Sequence, residues 1–236
     1  MIKVESPKYY WELEQNTPEW LKARLGIITA SEVNSIVTPK GAIKTGKGVD
    51  TYRNQKVSEI VTGRIADHFE SYAMMKGHIG EVYAIESYSE NYAPTQSCGF
   101  ITREIEGVTI GASPDAIVGE DGGCEVKTLM PHLHVQTILA DAVPEDHINQ
   151  IQTTLLVSGR KWWDYIQFQP GMSLFVKRVL PDPVRQELII KAVKELNVSI
   201  DASVKKYNSL ASKLVPTEFV DMNIGTEKEI QIGEQE

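Results

Sequence analysis

A chain of 236 residues with 42% hydrophobic and 24% charged residues is an ordinary globular protein, long enough for one large domain or two small ones. No apolar run reaches the roughly 18–20 residues of a membrane span. The start Met-Ile-Lys-Val-Glu-Ser-Pro-Lys lacks an apolar signal segment. The net charge of −8 excludes an indiscriminate coat for nucleic acid, but its distribution is uneven. After Thr217, Glu218, Asp221, Glu227, Glu229, Glu234 and Glu236 stand against Lys228 alone and account for five of those charges, which leaves the rest of the chain near −3 with room for local basic sites. Cys98 and Cys124 form no Cys-x-x-Cys pair and read as buried thiols of a reducing compartment, which makes the cytoplasm the expected location.

In chain order, Thr17-Pro18-Glu19-Trp20 predicts a short helix over 19–25, with Thr as N-cap, Pro at the first position and Gly26 as its stop. A second start follows at Thr29-Ala-Ser31-Glu32, where Thr29 and Glu32 have capping-box spacing and Ser31 is an alternative cap. Free N–H groups near Ser31, with Arg24 just upstream, suit an anion. The basic loop Lys40–Gly48 matches Gly-x-x-x-x-Gly-Lys from Gly41 to Lys47. Gly48 replaces the required Ser or Thr and no strand precedes it, so Lys40, Lys44 and Lys47 fit a loop near a phosphate backbone better than an ATP site.

Helices are expected over 50–62, closed by Gly63, and from Gly77, where Ile79, Val82, Tyr83 and Glu86 have the spacing of one buried side and leave Glu81 off it. Strands follow over 97–104 and 108–112. Next, Ser113-Pro-Asp115, the turn Gly119–Gly123 and Glu125-Val126-Lys127 read as a hairpin. Residues i and i+2 of a strand share a face, so Glu125 and Lys127 point together while Val126 turns to the core; the hairpin can bring Asp115 beside Glu125. Two carboxylates with a lysine suit a divalent metal and activated water on a phosphodiester. Pro131 breaks the edge, and His132 with His134 has chelate spacing but no third ligand. Pro144 to Gly159 is a punctuated helix burying Ile148, Ile151, Leu155 and Leu156, with His147 and Gln150 on one face. Strands over 162–169 and 173–180 flank Pro170-Gly171. A long amphipathic helix then spans about 183–210 through Ile189, Val193, Leu196, Ile200, Val204, Tyr207 and Leu210, before an acidic, mobile tail.

This order describes one mixed α/β domain over 1–216, with its core at about 17–180 and a tail at 217–236. An acidic helix residue, Ser-Pro-Asp115, Glu125-Val-Lys127 and a later helix with Gln150 resemble the PD-(D/E)xK nuclease superfamily and its restriction-endonuclease-like core, a central mixed sheet flanked by helices. Five ordered blocks between Thr17 and Pro170 narrow this resemblance: Glu19–Val33, Gly77-His-Ile-Gly-Glu81, Ala112-Ser113-Pro-Asp115, Glu125-Val-Lys127 and Asn149-Gln150-Ile-Gln152. They resemble the phage lambda exonuclease and YqaJ-type viral recombinase nucleases.

The resemblance implies a magnesium-dependent exonuclease, with manganese as a substitute and two ions per site, digesting one strand of linear duplex from a 5′-phosphorylated end. Glu81, Asp115, Glu125 and the Val126 carbonyl would ligate metal, Lys127 would orient the attacking water, and Gln150 would steady that water or the phosphate. Arg24, Ser31 and Ser113 would hold the terminal 5′-phosphate. His147 stands where the lambda enzyme has a tyrosine, so no role is carried onto it. Implied partners are duplex DNA ends, a single-strand annealing protein and further copies of the chain, as a trimer; no membrane is implied. The alternatives are a PD-(D/E)xK endonuclease, a catalytically silent DNA-binding or assembly protein, and a nucleotide-binding module built on the 41–47 loop.

Overall fold

The computed structural model describes residues 3–65 and 72–220, with only the backbone of 72–76; most of the acidic tail, 221–236, lies outside the described residues. The amino-terminal half runs β1 (Lys8–Tyr10), α1 (Pro18–Arg24), β2 (Ile28–Thr29), a 3₁₀ helix (Ala30–Ser35), α2 (Lys47–Thr62) and α3 (Tyr72–Asn91). The strands β3 (Thr95–Gln96), β4 (Phe100–Ile105), β5 (Val108–Ala112), β6 (Ala116–Val118) and β7 (Gly122–Thr128) follow. Helices α4 (Pro131–Ala140) and α5 (Glu145–Ser158), strands β8 (Trp162–Phe168) and β9 (Phe175–Val179), and α6 (Pro183–Ala211) complete the chain.

The expected mixed α/β architecture is present, divided into two mixed sheets rather than one. The first has the order β1-β4-β5-β2 and the second β3-β6-β7-β8-β9. In the first, β2 runs parallel to β5 with Thr29 opposite Gly111. In the second, β7 and β8 are parallel, joined by a crossover through α4 and α5. Helix α3 packs on one face of β7 and β8, and α5 covers the other while also touching β4 and β5. A strand covered on both faces loses the usual polar alternation, and the first five residues of β7 are all buried.

Local signals explain the best-matched elements. Thr17 Oγ1 accepts from Trp20 N at 3.3 Å to start α1. Left-handed Gly63 and Gly159 close α2 and α5. Asp182 caps α6 by accepting from Arg185 N at 3.1 Å. Helix α6 buries Ile189, Val193, Leu196 and Ile200 against the domain itself, but Tyr207 and Leu210 at its end are exposed.

Three expectations need correction. The buried side of α3 is not the Ile79, Val82, Tyr83 stripe, whose residues are 55%, 67% and 58% exposed; it is Gly80, Ala84 and Tyr88, spaced by four. Tertiary packing through small residues overrode the apolar spacing, and Glu81 sits half-buried beside that face. Secondly, Pro131 does more than end a strand: it opens α4, whose inward residues are His134 and Thr137 while Leu133, Val135, Ile138 and Leu139 face outward. That inverted pattern carries no ordinary amphipathic signal. Thirdly, Gly122 and Gly123 are not turn residues but strand residues. A Cβ on them would lie 2.1 Å and 2.3 Å from the rings of Trp162 and Trp163, which stand in register on β8 and need bare backbone beneath them.

Candidate active site

Strand β5 leaves the first sheet at Ala112 and β6 enters the second at Ala116, so Ser113-Pro114-Asp115 bridges the two sheets. The antiparallel register pairs Ala116 with Cys124, which, continued along the strands, sets Asp115 against Glu125 and Pro114 against Val126. Proline has no N–H to give. The Pro114 carbonyl accepts from Gln15 Nε2 at 2.9 Å. The Val126 N–H donates to Asp115 Oδ2 at 2.6 Å. A strand residue's N–H and C=O point toward the same neighbour, so the Val126 carbonyl is directed toward Pro114, which has no N–H to occupy it. The proline thus interrupts the ladder opposite the Val126 carbonyl.

Glu125 and Lys127 stand in register with Tyr165 and Gln167, on the face covered by α5. Glu125 is 2% exposed. Its Oε1 accepts from Lys127 Nζ at 2.6 Å and also from Gln150 Nε2. Its Oε2 is buried and has no hydrogen-bond partner among the described residues. Glu81 reaches the same group from α3, because Gly80 lets the helix approach the end of β7. Burial first, then the charges of Glu125 and Glu81, push Asp115 well above the usual carboxylate range. Burial likewise raises Glu81, with the Glu125 charge adding to it against the pull of His78 and Lys127. Burial alone would lower Lys127, but Glu125 and Asp115 outweigh it and hold the ammonium above its ordinary value. The structure therefore brings together Glu81, Asp115, Glu125, Val126, Lys127 and Gln150.

Carboxylates crowded against their own charge, a buried carboxylate oxygen without a donor and a neighbouring carbonyl that Pro114 cannot bond all suit a hard divalent cation. Among the described residues no three His, Cys, Asp or Glu side chains form a closed metal cluster. A cation held here would complete its shell with the Val126 carbonyl and water, which fits the preference of magnesium for retaining water.

On the other side of the bridge lies a second group. Arg24 Nη1 donates to Ser113 Oγ at 2.9 Å and Nη2 to Thr29 Oγ1 at 3.2 Å, and Thr29 Oγ1 lies 3.3 Å from Ser31 Oγ. The parallel pairing of Thr29 with Gly111 brings these two segments side by side. The Arg24 guanidinium lies 4.2 Å from the centre of the Trp20 ring, and Trp20 Nε1 donates to Ser113 Oγ at 3.1 Å. Burial lowers the Arg24 pKa, opposed by Glu32, Tyr52 and Glu59. Arg24, Ser31 and Ser113 are thus gathered, and Trp20 and Thr29 join them. The spacing of Trp20 and Arg24, one helical turn apart on α1, signalled this pairing. Nothing local signalled Gln15 on Pro114, because that contact forms only in the fold.

The basic loop behaves differently. Lys44 Nζ donates to the Asn34 carbonyl at 2.6 Å, which ties the loop to the 3₁₀ helix. Lys40 and Lys47 remain exposed. An isolated bridge between Val37 and Ile43 precedes α2 in place of the strand a P-loop requires, so the loop lacks the strand–loop–helix setting of that motif. His132 and His134 lie on a helix, where a separation of two residues points side chains to different faces. His132 is exposed, whereas His134 is fully buried, with Nδ1 3.2 Å from Gln167 Nε2 and Nε2 2.9 Å from the Ser173 carbonyl. They form no chelate. His147 stacks on Tyr165 with ring centres 5.4 Å apart; burial, then the charge of Lys127, lowers its pKa to about 4, so the imidazole is neutral at pH 7.

The family model of the YqaJ-like viral recombinase domain matches residues 19–161. Among solved structures, the alkaline exonuclease LHK-Exo from Laribacter hongkongensis is similar with a TM-score of 0.73 and 26% identity, over 84% of this chain and 100% of that one. The same exonuclease in complex with dAMP gives a TM-score of 0.70 at 26% identity, with the same coverage of 84% and 100%. A search of curated proteins gave no match. The matched span takes in both α1 and its arginine, the bridge, β7 and Gln150 on α5. By its sequence blocks, its fold and this match, the chain belongs to the YqaJ-like viral recombinase domain family.

Proposed function

We propose that the protein is a divalent-metal-dependent exonuclease that degrades one strand of linear duplex DNA from a 5′-phosphorylated end. Membership of the viral recombinase family and likeness to an alkaline exonuclease support a phage-type exonuclease. The observation that carries the finer reading is the bridge itself. Ser113, bonded to Arg24, and Asp115, bonded to the backbone of the Glu125 strand, are separated by Pro114 alone. An end phosphate held by one would leave the next phosphodiester within reach of the other.

In this reading Asp115, Glu125, the Val126 carbonyl and Glu81 would hold two ions of magnesium, or manganese in its place. When bound, the metal lowers the pKa of water, neutralises the phosphate and stabilises the leaving oxygen. Lys127, kept as an ammonium beside Glu125, orients the attacking water and supplies positive charge near the phosphate. Gln150 steadies Glu125 and, through its remaining amide valence, that water. Arg24 offers a planar donor pair to the terminal phosphate, with the Ser31 and Ser113 hydroxyls completing the contact and Trp20 fixing the guanidinium plane. Lys40 and Lys47 lie beside the duplex backbone. The product is a 5′-mononucleotide, consistent with the dAMP complex of LHK-Exo. The partners are a duplex end, a single-strand annealing protein and further copies of the chain in a trimer.

The Arg24→Ala variant tests the end-reading part. It should reduce the preference for 5′-phosphate over 5′-hydroxyl ends by roughly 10–100-fold, the range expected for lost charge-assisted hydrogen bonds. Rates on matched linear duplexes check this, and an unchanged preference would remove Arg24 from the pocket.

A further inference from the structure

Behind the Arg24 pocket, α2 buries a lysine that the catalytic reading does not use. Lys56 is 2% exposed and Glu59, one turn on, is 7% exposed. Lys56 Nζ lies 2.9 Å from Glu32 Oε1, and 3.1 Å and 3.2 Å from the two oxygens of Glu59. Each carboxylate also holds one end of the turn that separates Arg24 from Thr29. Glu59 Oε2 accepts from Gly26 N at 2.9 Å, and Gly26 has a left-handed φ of +70° with Ile60 packed where a side chain would go. Glu32 Oε2 accepts from Thr29 N at 3.2 Å and from Thr29 Oγ1 at 2.7 Å. That same Thr29 oxygen accepts from Arg24 Nη2.

Glu32 is therefore a single hydroxyl away from the Arg24 guanidinium, yet among the described residues Arg24 bonds hydroxyls and no carboxylate. Two acids so close to a half-buried arginine would ordinarily pair with it, since an unpaired buried charge is costly. Lys56 occupies both. An arginine already paired with a carboxylate would have to give up that pair to bind a phosphate. One bonded only to hydroxyls can take the phosphate at once.

We infer that Lys56 is a positioning residue for the pocket: it neutralises Glu32 and Glu59, fixes the Gly26–Thr29 turn through them, and so keeps Arg24 free for the terminal phosphate of DNA. The inference rests on the end-reading function proposed above. It predicts a competition when Lys56 is removed. Glu32 and Glu59 lose their cation, turn to Arg24, and exclude the phosphate electrostatically. The defect should fall on recognition of the end more than on the chemical step.

The test measures KM and kcat on linear duplexes with 5′-phosphate or 5′-hydroxyl ends, in magnesium, for four proteins: wild type, Arg24→Ala, Lys56→Met, and Lys56→Met combined with Glu32→Gln and Glu59→Gln. The triple variant keeps acceptors for Gly26 N and Thr29 N but removes the competing charges. Lys56→Met should raise KM for the phosphorylated duplex by roughly tenfold, the scale of coupling within a shared ionic network, with a smaller change in kcat, and the triple variant should recover the phosphate preference. A Lys56→Met protein that keeps the wild-type preference overturns the inference, as does a folded triple variant that fails to recover it. If Lys56→Met does not fold, the triple variant decides alone: preference present supports charge neutralisation, and preference absent overturns it. A wild type indifferent to the phosphate overturns the end-reading function itself and this inference with it. A wild-type preference that Arg24→Ala loses and Lys56→Met keeps overturns only the role of Lys56.

Discussion

Lys127→Ala should lower DNA cleavage by on the order of 10³-fold while the protein still binds a 5′-phosphorylated duplex end. Lys127 Nζ sits 2.6 Å from Glu125 Oε1 and is held as an ammonium by Glu125 and Asp115, so it sets a positive charge directly among the gathered carboxylates. Its removal takes away charge and donor where the transition state gathers negative charge. The Arg24 contacts, proposed above to bind the end, lie across the Ser113–Asp115 bridge and do not involve it. Single-turnover cleavage and a gel-shift on the same duplex separate the two effects. Cleavage within a few-fold of wild type would remove Lys127 from the chemistry, and loss of binding in step with cleavage would place it in substrate recognition instead.

Gly80→Ala should cost cleavage roughly 10²-fold with little change in stability. A Cβ at Gly80 would lie 2.2 Å from Thr128 Oγ1 and 3.2 Å from Thr128 Cβ. Threonine is stiff at χ1, so the helix must retreat from the end of β7. Glu81 is the next residue, and displacement of a reacting group by about 1 Å is enough for a loss of that order. Overpacking costs about 1–3 kcal/mol, but alanine returns about 1 kcal/mol of helix propensity over glycine. A melting curve close to wild type beside a large loss of cleavage is therefore the expected pair of results. Wild-type cleavage by this variant would mean that the close approach of α3 does not set the position of Glu81.

What the sequence could and could not reveal follows from the range of the forces involved. The hairpin was legible because the glycine turn at 119, the period of two in Glu125-Val126-Lys127 and the Ser-Pro-Asp block are all local, and β6 and β7 pair as they predict. Helices α5 and α6 were legible for the same reason, from caps and apolar spacing. The face of α3 was misread because Ile79, Val82 and Tyr83 look like a core stripe, whereas Gly80 and Ala84 win the close contact with β7 and its neighbours. Helix α4 went unseen because its buried residues are His134 and Thr137. His134 is satisfied there by Gln167 and the Ser173 carbonyl, contacts formed across 33 and 39 residues. The site itself divides in the same way. The carboxylates, lysine and glutamine lie in recognisable blocks. By contrast, Gln15 on the Pro114 carbonyl and Lys56 between two glutamates arise from packing between distant segments.

On the proposed function, the Arg24–Ser113 contact and the Asp115–Val126 contact on one short bridge would require the scissile bond to lie next to a chain end. The most direct measurement is digestion of the same duplex in linear and covalently closed circular form, in magnesium, with the linear form carrying either 5′-phosphate or 5′-hydroxyl ends. Rapid release of 5′-mononucleotides from the phosphorylated linear duplex, slower release from the hydroxyl form and an intact circle are the predicted results. Cleavage of the closed circle at a rate comparable to the linear duplex would contradict an end-reading exonuclease.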